Sequence, residues 1–456
     1  MFEKITNNKR KFILLSTIAL FIYSLFAIYY NIQFLFVLPI IALIVVFSLK
    51  IEFGIYLMAF SLPMIGWNFY FFNLEIPFID LLSLFVFTSF ISSLLFKMVF
   101  GNKNVSKKIK WPWIFSFTLF FASFMLSSFF SKDQFFSLWY TIRWIFVLYT
   151  FYIFLPVQII NKKEVLKNIL IAFLLSGLLM SFLAILSLFI QDWSFFVRMK
   201  PISIFGIYLF GDNQNLIAES LLPSLFFSLA LREKINNILF KKVINISAIL
   251  MLVVAVGTFS RAAWLSLFLA SLIFLIFGIK KNVQNKKRIV VGLSVVIILM
   301  IPVFVYMYQM QTAYRIGVSS TENRLLLTEI SWQAFKENPV LGKGPGQYIN
   351  LVADNVRFRA KYGDPIDSHG VLQKILAENG LLGVIAFIFF SVVVLFSLLP
   401  ALKRNKEKKY FLFLFLAFFS IYFFQIFNTS YFKAKTWFPA AVVLSAITIY
   451  KEDNEE

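Results

Sequence analysis

Three short stretches of the chain hold residue types suited to chemistry on an anion. The first is Gly257-Thr258-Phe259-Ser260-Arg261-Ala262-Ala263-Trp264. Ser260 is placed to cap the helix that follows, so free backbone N–H groups and the positive end of the helix dipole gather there. Arg261 adds a full charge at the same point. A helix N-terminus carrying an arginine is an anion site in physical terms, and the plainer alternative is that Arg261 snorkels to lipid headgroups.

The second stretch runs from Glu322 to Phe335 and on through Asn338-Pro339-Val340-Leu341-Gly342-Lys343-Gly344-Pro345-Gly346. Ser319-x-x-Glu322 reads as a capping box, Leu325, Thr328, Trp332 and Phe335 fall at helical spacing, and Asn338-Pro339 is a stop. This puts Arg324 in a first helical turn, where the dipole gives it no help. It therefore needs a partner, either an anion or Glu322 or Glu329 in an ordinary surface ion pair. The Gly-x-Gly-x-Gly run is not a P-loop, because no Lys-Ser or Lys-Thr follows. A turn is the default there and a backbone anion nest the alternative.

The third stretch is Asp367-Ser368-His369-Gly370 and the apolar run to Gly383. A helix starting at Asp367 or Ser368 and ending at Asn379-Gly380 places His369 in its first turn, where the positive helix end disfavours the imidazolium. A neutral imidazole near pH 7 is what a general base requires, although a lone histidine is also an ordinary incidental residue. Two arginines and a neutral histidine suit the transfer of a group away from a phosphate: the cations hold the departing anion and the base deprotonates a hydroxyl nucleophile.

The elements that must position these residues are membrane helices. The chain has 456 residues, 60% of them hydrophobic and only 14% charged, with 61 phenylalanines and a mean hydropathy of +0.83. A soluble core of this size cannot hide that much apolar surface. A ruler of about 20 apolar residues gives candidate spans near 12–30, 33–49, 51–66, 78–99, 112–131, 140–160, 166–190, 214–231, 243–259, 261–279, 288–309, 371–399, 410–428 and 434–450. The count is twelve to fourteen, since only Lys50 and Glu52 divide the second span from the third. No cleavable leader is evident after the basic start.

Alternating the gaps across the membrane puts 28 of the 43 lysines and arginines on one side and 15 on the other, 8 of the 15 in or beside one long hydrophilic segment. The positive-inside rule then assigns both termini to the cytoplasm and the long segment, 310–370, to the outside with all three stretches. A loop this long in a tightly connected bundle has a function or is disordered, and its helical pattern argues for function. The expected organisation is N-terminal spans over 1–210, further spans over 211–309, the external loop over 310–370 and C-terminal spans over 371–456. Having no cysteine excludes disulfides, thiolate metal sites and a cysteine nucleophile, and one histidine excludes a multi-histidine metal site. Asp364, Asp367, Glu322 and Glu329 are too scattered to propose an octahedral oxygen site, so no metal and no cofactor are expected. The net charge of +21 sits in short gaps where it sets topology, and no nucleic-acid partner is implied.

The order and spacing of Thr258-x-Ser260-Arg261, of Arg324 with Trp332, Ala334, Phe335, Pro339, Gly342 and Gly344, and of His369-x-x-Leu372 with Glu378, Gly380 and Gly383 resemble the O-antigen ligase and O-antigen polymerase family of bacterial membrane glycosyltransferases. The resemblance covers roughly residues 211 to 390, and Gly370 stands where the family often has asparagine. It implies an all-α, GT-C-like membrane enzyme of the bacterial inner membrane that uses an undecaprenyl-diphosphate-linked glycan as donor. By that similarity Arg261 and Arg324, with Ser260, hold the donor diphosphate, and His369 activates a sugar hydroxyl of a glycan or lipid-linked acceptor. A polymerase is slightly favoured over a ligase. A transporter or flippase for lipid-linked sugars is the rival, and it predicts polar or broken helices near the bilayer midplane. A non-catalytic scaffold of a glycan-assembly complex is a third reading.

Overall fold

The structure, a computed structural model, describes residues 50–71, 74–100, 109–191, 197–204, 206–278, 316–403, 407–427 and 434–452, with a few isolated positions between them. The expected span at 12–30, and almost all of those at 33–49 and 288–309, lie outside these residues. The rest of the chain is a polytopic all-α protein. Among the described residues eight helices are long and apolar enough to cross a membrane: α2 (Phe78–Phe100), α4 (Gln134–Ile159), α5 (Lys163–Leu186), α6 (Gln214–Lys234), α7 (Ile238–Gly257), α8 (Arg261–Gly278), α12 (Val371–Leu398) and α13 (Lys408–Ile426). Two apolar helices are shorter, α1 (Ile51–Ser61) and α3 (Ile114–Phe129). Between α8 and α12 lie α9 (Ile316–Glu337), α10 (Tyr348–Asp354) and α11 (Val356–Tyr362), and α14 (Ala434–Glu452) closes the series.

Helices α4 and α7 start earlier than hydropathy indicates, because a polar side chain just before each one caps its first turn. Asp133 accepts from the Phe136 N–H at 3.0 Å, starting α4 at Gln134, and Asn237 accepts from the Phe240 N–H at 3.0 Å, starting α7 at Ile238. A short antiparallel hairpin, β1 (Asn68–Phe71) and β2 (Leu74–Pro77), follows α1, with Phe69 opposite Ile76. The expected third span therefore stops as a helix at Ser61 instead of running to 66.

The chain divides into two compact units, residues 1–58 with 79–108 and residues 59–78 with 109–456. In the first, Gly54 lets α1 close on α2, since a Cβ there would lie 2.5 Å from a Val86 methyl. In the second, α6 packs against α5, α7 and α13, and α3 packs against α12. Aromatic rings fill the α3–α12 seam, with Phe120 stacked on Phe390 at 5.6 Å. The α6, α8 and α13 contact is made by small residues, Ala218 and Ala263, beside Leu222 and Phe424.

The segment from α9 to α11 has its own core: Leu326, Leu327, Ile330, Ala334, Tyr348, Val352 and Phe358, joined by Ala377 of α12. The buried stripe of α9 is thus shifted from the expected one, and Leu325 and Trp332 face outward at 66% and 49% exposure. The shift arises because Tyr348 reaches under α9, its hydroxyl donating to the Leu327 carbonyl at 2.9 Å.

Helix α12 is broken at Gly380, whose φ of 59° and ψ of −157° interrupt the spiral. The loop after α9 supplies what the break leaves unbonded. Leu381 and Leu382 donate their N–H groups to the Pro339 and Val340 carbonyls at 2.9 and 3.1 Å. In return Lys343 and Gly344 donate to the Ala377 and Glu378 carbonyls at 3.0 and 2.7 Å. Only glycine fits on either side of this clamp: a Cβ on Gly342 would meet the Glu378 carbonyl carbon at 2.4 Å, and one on Gly380 the Val340 oxygen at 2.5 Å. The Gly-x-Gly-x-Gly run is therefore a backbone clamp whose N–H groups are already used: those of Lys343 and Gly344 donate to helix carbonyls, and those of Gly346 and Tyr348 to the Glu378 carboxylate.

Candidate functional site

Arg261 opens α8, directly after a tight turn in which Phe259 takes a left-handed φ of 56°. The turn is held by the Thr258 hydroxyl, which donates to the Ala255 carbonyl at 2.7 Å, and by the Trp264 indole, which donates to the Val256 carbonyl at 3.0 Å. Ser260 sits at the cap position, its carbonyl accepting from the Trp264 N–H at 3.0 Å. Its hydroxyl does not cap: Ser260 Oγ is buried and has no hydrogen-bond partner. The Arg261 side chain is exposed.

Arg324 lies in the interior of α9, eight positions after its first residue, Ile316. The helix start therefore does not oppose Arg324, and the expected surface pair is not formed. Glu322 is taken by Lys361 at 2.5 Å and Glu329 by Arg357 at 3.3 Å. Arg324 forms no ion pair among the described residues, and its Nε is buried without a hydrogen-bond partner. Burial and then the nearby Arg261 guanidinium push the Arg324 guanidinium below its ordinary pKa. Two guanidinium groups from separate elements therefore share one field without a carboxylate between them, an arrangement that favours an anion with several oxygens.

His369 precedes α12 and does not lie in its first turn, because Gly370 is the cap and Val371 the first helical residue. Burial, and after it the Arg324 guanidinium, push the imidazole below its ordinary pKa, while Asp367 pulls the other way. The pressure toward a neutral imidazole thus comes from burial and Arg324 and not from the helix end. A side-chain bridge ties His369's segment to α9: Gln373 Nε2 donates to the Thr328 hydroxyl at 2.7 Å, which itself donates to the Arg324 carbonyl at 2.7 Å. The fold thus brings together Arg261, Arg324 and His369 from positions far apart in sequence.

Two buried polar clusters escaped the sequence reading. Lys374 of α12 is bonded to Asp367 Oδ2 at 2.8 Å and to the Tyr140 hydroxyl at 3.2 Å. The sign in the sequence was a lysine five residues after the histidine, at the start of a helix that runs on into a long apolar stretch. The second cluster joins Glu219 of α6 to Lys435 of α14 at 2.5 Å, with Gln425 of α13 donating to the same carboxylate. Both members of that pair are at most 1% exposed. Opposite charges inside two separate apolar spans were the only signal for it.

No curated protein matches the chain. A protein-family model described as O-antigen ligase matches residues 246–388. That span starts in α7, ends within α12 and takes in Arg261, Arg324 and His369, and it supports the O-antigen ligase and O-antigen polymerase family for this chain.

Proposed function

We propose that this protein is a membrane glycosyltransferase that moves a glycan from an undecaprenyl-diphosphate-linked donor to a sugar hydroxyl on the outer face of the bacterial inner membrane. The observation that supports it most is the meeting of Arg261 and Arg324, two guanidinium groups without a carboxylate partner among the described residues, next to a histidine held below its ordinary pKa. The donor's diphosphate lies between the arginines. An acceptor hydroxyl loses its proton to His369 and its oxygen forms a bond to the anomeric carbon, as the bond from that carbon to the diphosphate oxygen breaks. The electron pair leaves on the diphosphate, where the arginines stabilise it, and a direct displacement inverts the anomeric carbon. Charge stabilisation by two arginines takes the part that a metal ion plays in other diphosphate chemistry, so activity is expected to survive EDTA.

The test is a purified assay with a lipid-linked glycan donor at equal protein level. Loss of a charge-assisted contact to a departing anion costs about 2.7 to 4 kcal/mol, roughly 100- to 1000-fold in turnover. Arg261→Ala and Arg324→Ala should each fall by that amount, and Arg261→Lys should fall short of rescue because lysine lacks the bidentate fork. His369→Gln, which hydrogen-bonds but takes up no proton, should do no better than His369→Ala. Near-normal turnover from Arg261→Ala, or from His369→Gln, would remove that residue from the mechanism.

A further inference from the structure

The candidate base has a charged neighbour whose own partner lies deep inside the protein. The Lys374 side chain is 4% exposed, against 33% for Asp367. Its ammonium donates to Asp367 Oδ2 at 2.8 Å and to the Tyr140 hydroxyl at 3.2 Å, while the other oxygen, Asp367 Oδ1, accepts from the Ser368 N–H at 2.9 Å. Tyr140 from α4, Glu378 one turn further along α12 and Tyr348 from α10 also face the ammonium. His369 is faced by Arg324 from α9 and by Asp367 from its own segment. Asp367 therefore stands between two cationic groups, one permanent and buried, the other able to form on the imidazole.

An aspartate two residues from a general base is a hazard to it. A free carboxylate stabilises the imidazolium, and an imidazolium has no lone pair for an acceptor's proton. A buried ammonium unable to reach water keeps its carboxylate partner occupied, since an unpaired charge in that position is costly. We propose that Lys374 is a positioning residue for the candidate base: by binding the Asp367 carboxylate from inside the protein, it keeps that carboxylate from pairing with His369, and so leaves the imidazole free to take a proton. The inference rests on the reading of His369 as the base. No proton passes through Lys374 or Asp367; the acceptor's proton goes to the imidazole and from there to solvent.

His369 is the sole histidine, which permits a readout that does not depend on activity. The full chain, purified in detergent with a histidine-free affinity tag and grown on ring-labelled histidine, gives one imidazole to titrate by NMR. Lys374→Met should raise the His369 midpoint by about one pH unit, Asp367→Asn should lower it, and the double variant should titrate with Asp367→Asn. A Lys374→Met midpoint that is unmoved or lowered overturns the proposal. Where Lys374→Met alone does not fold, the comparison of Asp367→Asn with the double variant decides, since both lack the lone carboxylate. A double variant raised well above Asp367→Asn shows that Lys374 acts on His369 directly and overturns the route through Asp367. The acid limb of the transfer rate should follow the NMR midpoints. Midpoints that shift while the limb stays fixed refute His369 as the base and leave the coupling of Lys374 to Asp367 standing.

Discussion

Gly380→Ala is the most direct test of how the site is held together. Two separate costs meet at that position. The first is backbone strain, since φ 59° with ψ −157° is a conformation that only glycine adopts at ease; it is about 1 to 3 kcal/mol. The second is steric. A Cβ would lie 2.5 Å from the Val340 oxygen, 2.6 Å from its carbonyl carbon and 2.7 Å from the Pro339 oxygen. Those two carbonyls accept the Leu381 and Leu382 N–H groups, so the loop cannot give way without breaking both bonds. A buried backbone group left unpaired costs about 1 to 3 kcal/mol, which brings the expected total to about 3 to 9 kcal/mol. Gly363→Ala supplies the control. It too has a positive φ, 81°, but nothing lies within 4 Å of its Cβ, so only the strain of about 1 to 3 kcal/mol applies. Denaturation of the two variants in detergent, followed by residual soluble protein and by transfer activity, should show Gly380→Ala far less stable than Gly363→Ala. Equal stability of the two would refute the clamp as the device that fixes the loop.

Three further outcomes are expected. Bound diphosphate adds negative charge beside His369 and offsets the field of Arg324, raising the imidazole pKa that burial and Arg324 depress in the free protein; the acid limb of kcat should therefore lie at higher pH than that of kcat/KM, and coincident limbs would contradict this. Lys435→Met should destabilise the protein by about 3 to 5 kcal/mol by leaving the Glu219 carboxylate buried without its counter-charge, whereas Lys435→Met with Glu219→Gln should recover most of the loss; a single variant as stable as the parent would show that the pair is not buried as described. In this cysteine-free chain, Val356→Cys, at a position 80% exposed, should react with an impermeant maleimide in intact cells and Asn236→Cys should not; the reverse pattern would overturn the assignment of the loop to the outer face.

Hydropathy located the helices because a spanning helix must be apolar along its whole length, and that property belongs to local composition. It missed the starts of α4 and α7, which Asp133 and Asn237 cap ahead of the expected apolar runs, and it gave no sign of the hairpin β1–β2, which lies in a gap between expected spans. The three candidate positions stand out in the sequence for a different reason. Arginines and a lone histidine are conspicuous in a chain this apolar, and Arg261, Arg324 and His369 are brought together. Their local settings were not legible. Arg324 was placed in a first turn and His369 inside a helix, because start signals such as Ser319 and Ser368 are read from sequence without knowing whether the helix already began upstream or waits for Gly370. The buried pairs depended on which faces of distant helices meet. Neither Lys374 with Asp367 and Tyr140 nor Lys435 with Glu219 has a local signature.

Bringing two guanidinium groups into one field is unfavourable in itself, and the protein must hold them there by interactions elsewhere. Arg261 is fixed on α8 by the Thr258 and Trp264 bonds of its turn and by the close Ala218–Ala263 contact. Arg324 is fixed on α9 by a separate core under Tyr348, by the Thr328–Gln373 bridge and by the loop clamped to the break in α12. The broken helix is what a transporter would also show, yet here the groups freed by the break bond to the loop backbone, so the break serves to anchor α9 and the His369 segment. Groups aimed at a developing charge stabilise a transition state most when they need not reorganise to meet it. On the proposed function, the several ties around the break are the counterpart of the repulsion at the site: they would place the charges before a donor diphosphate arrives, so that its binding would relieve that repulsion.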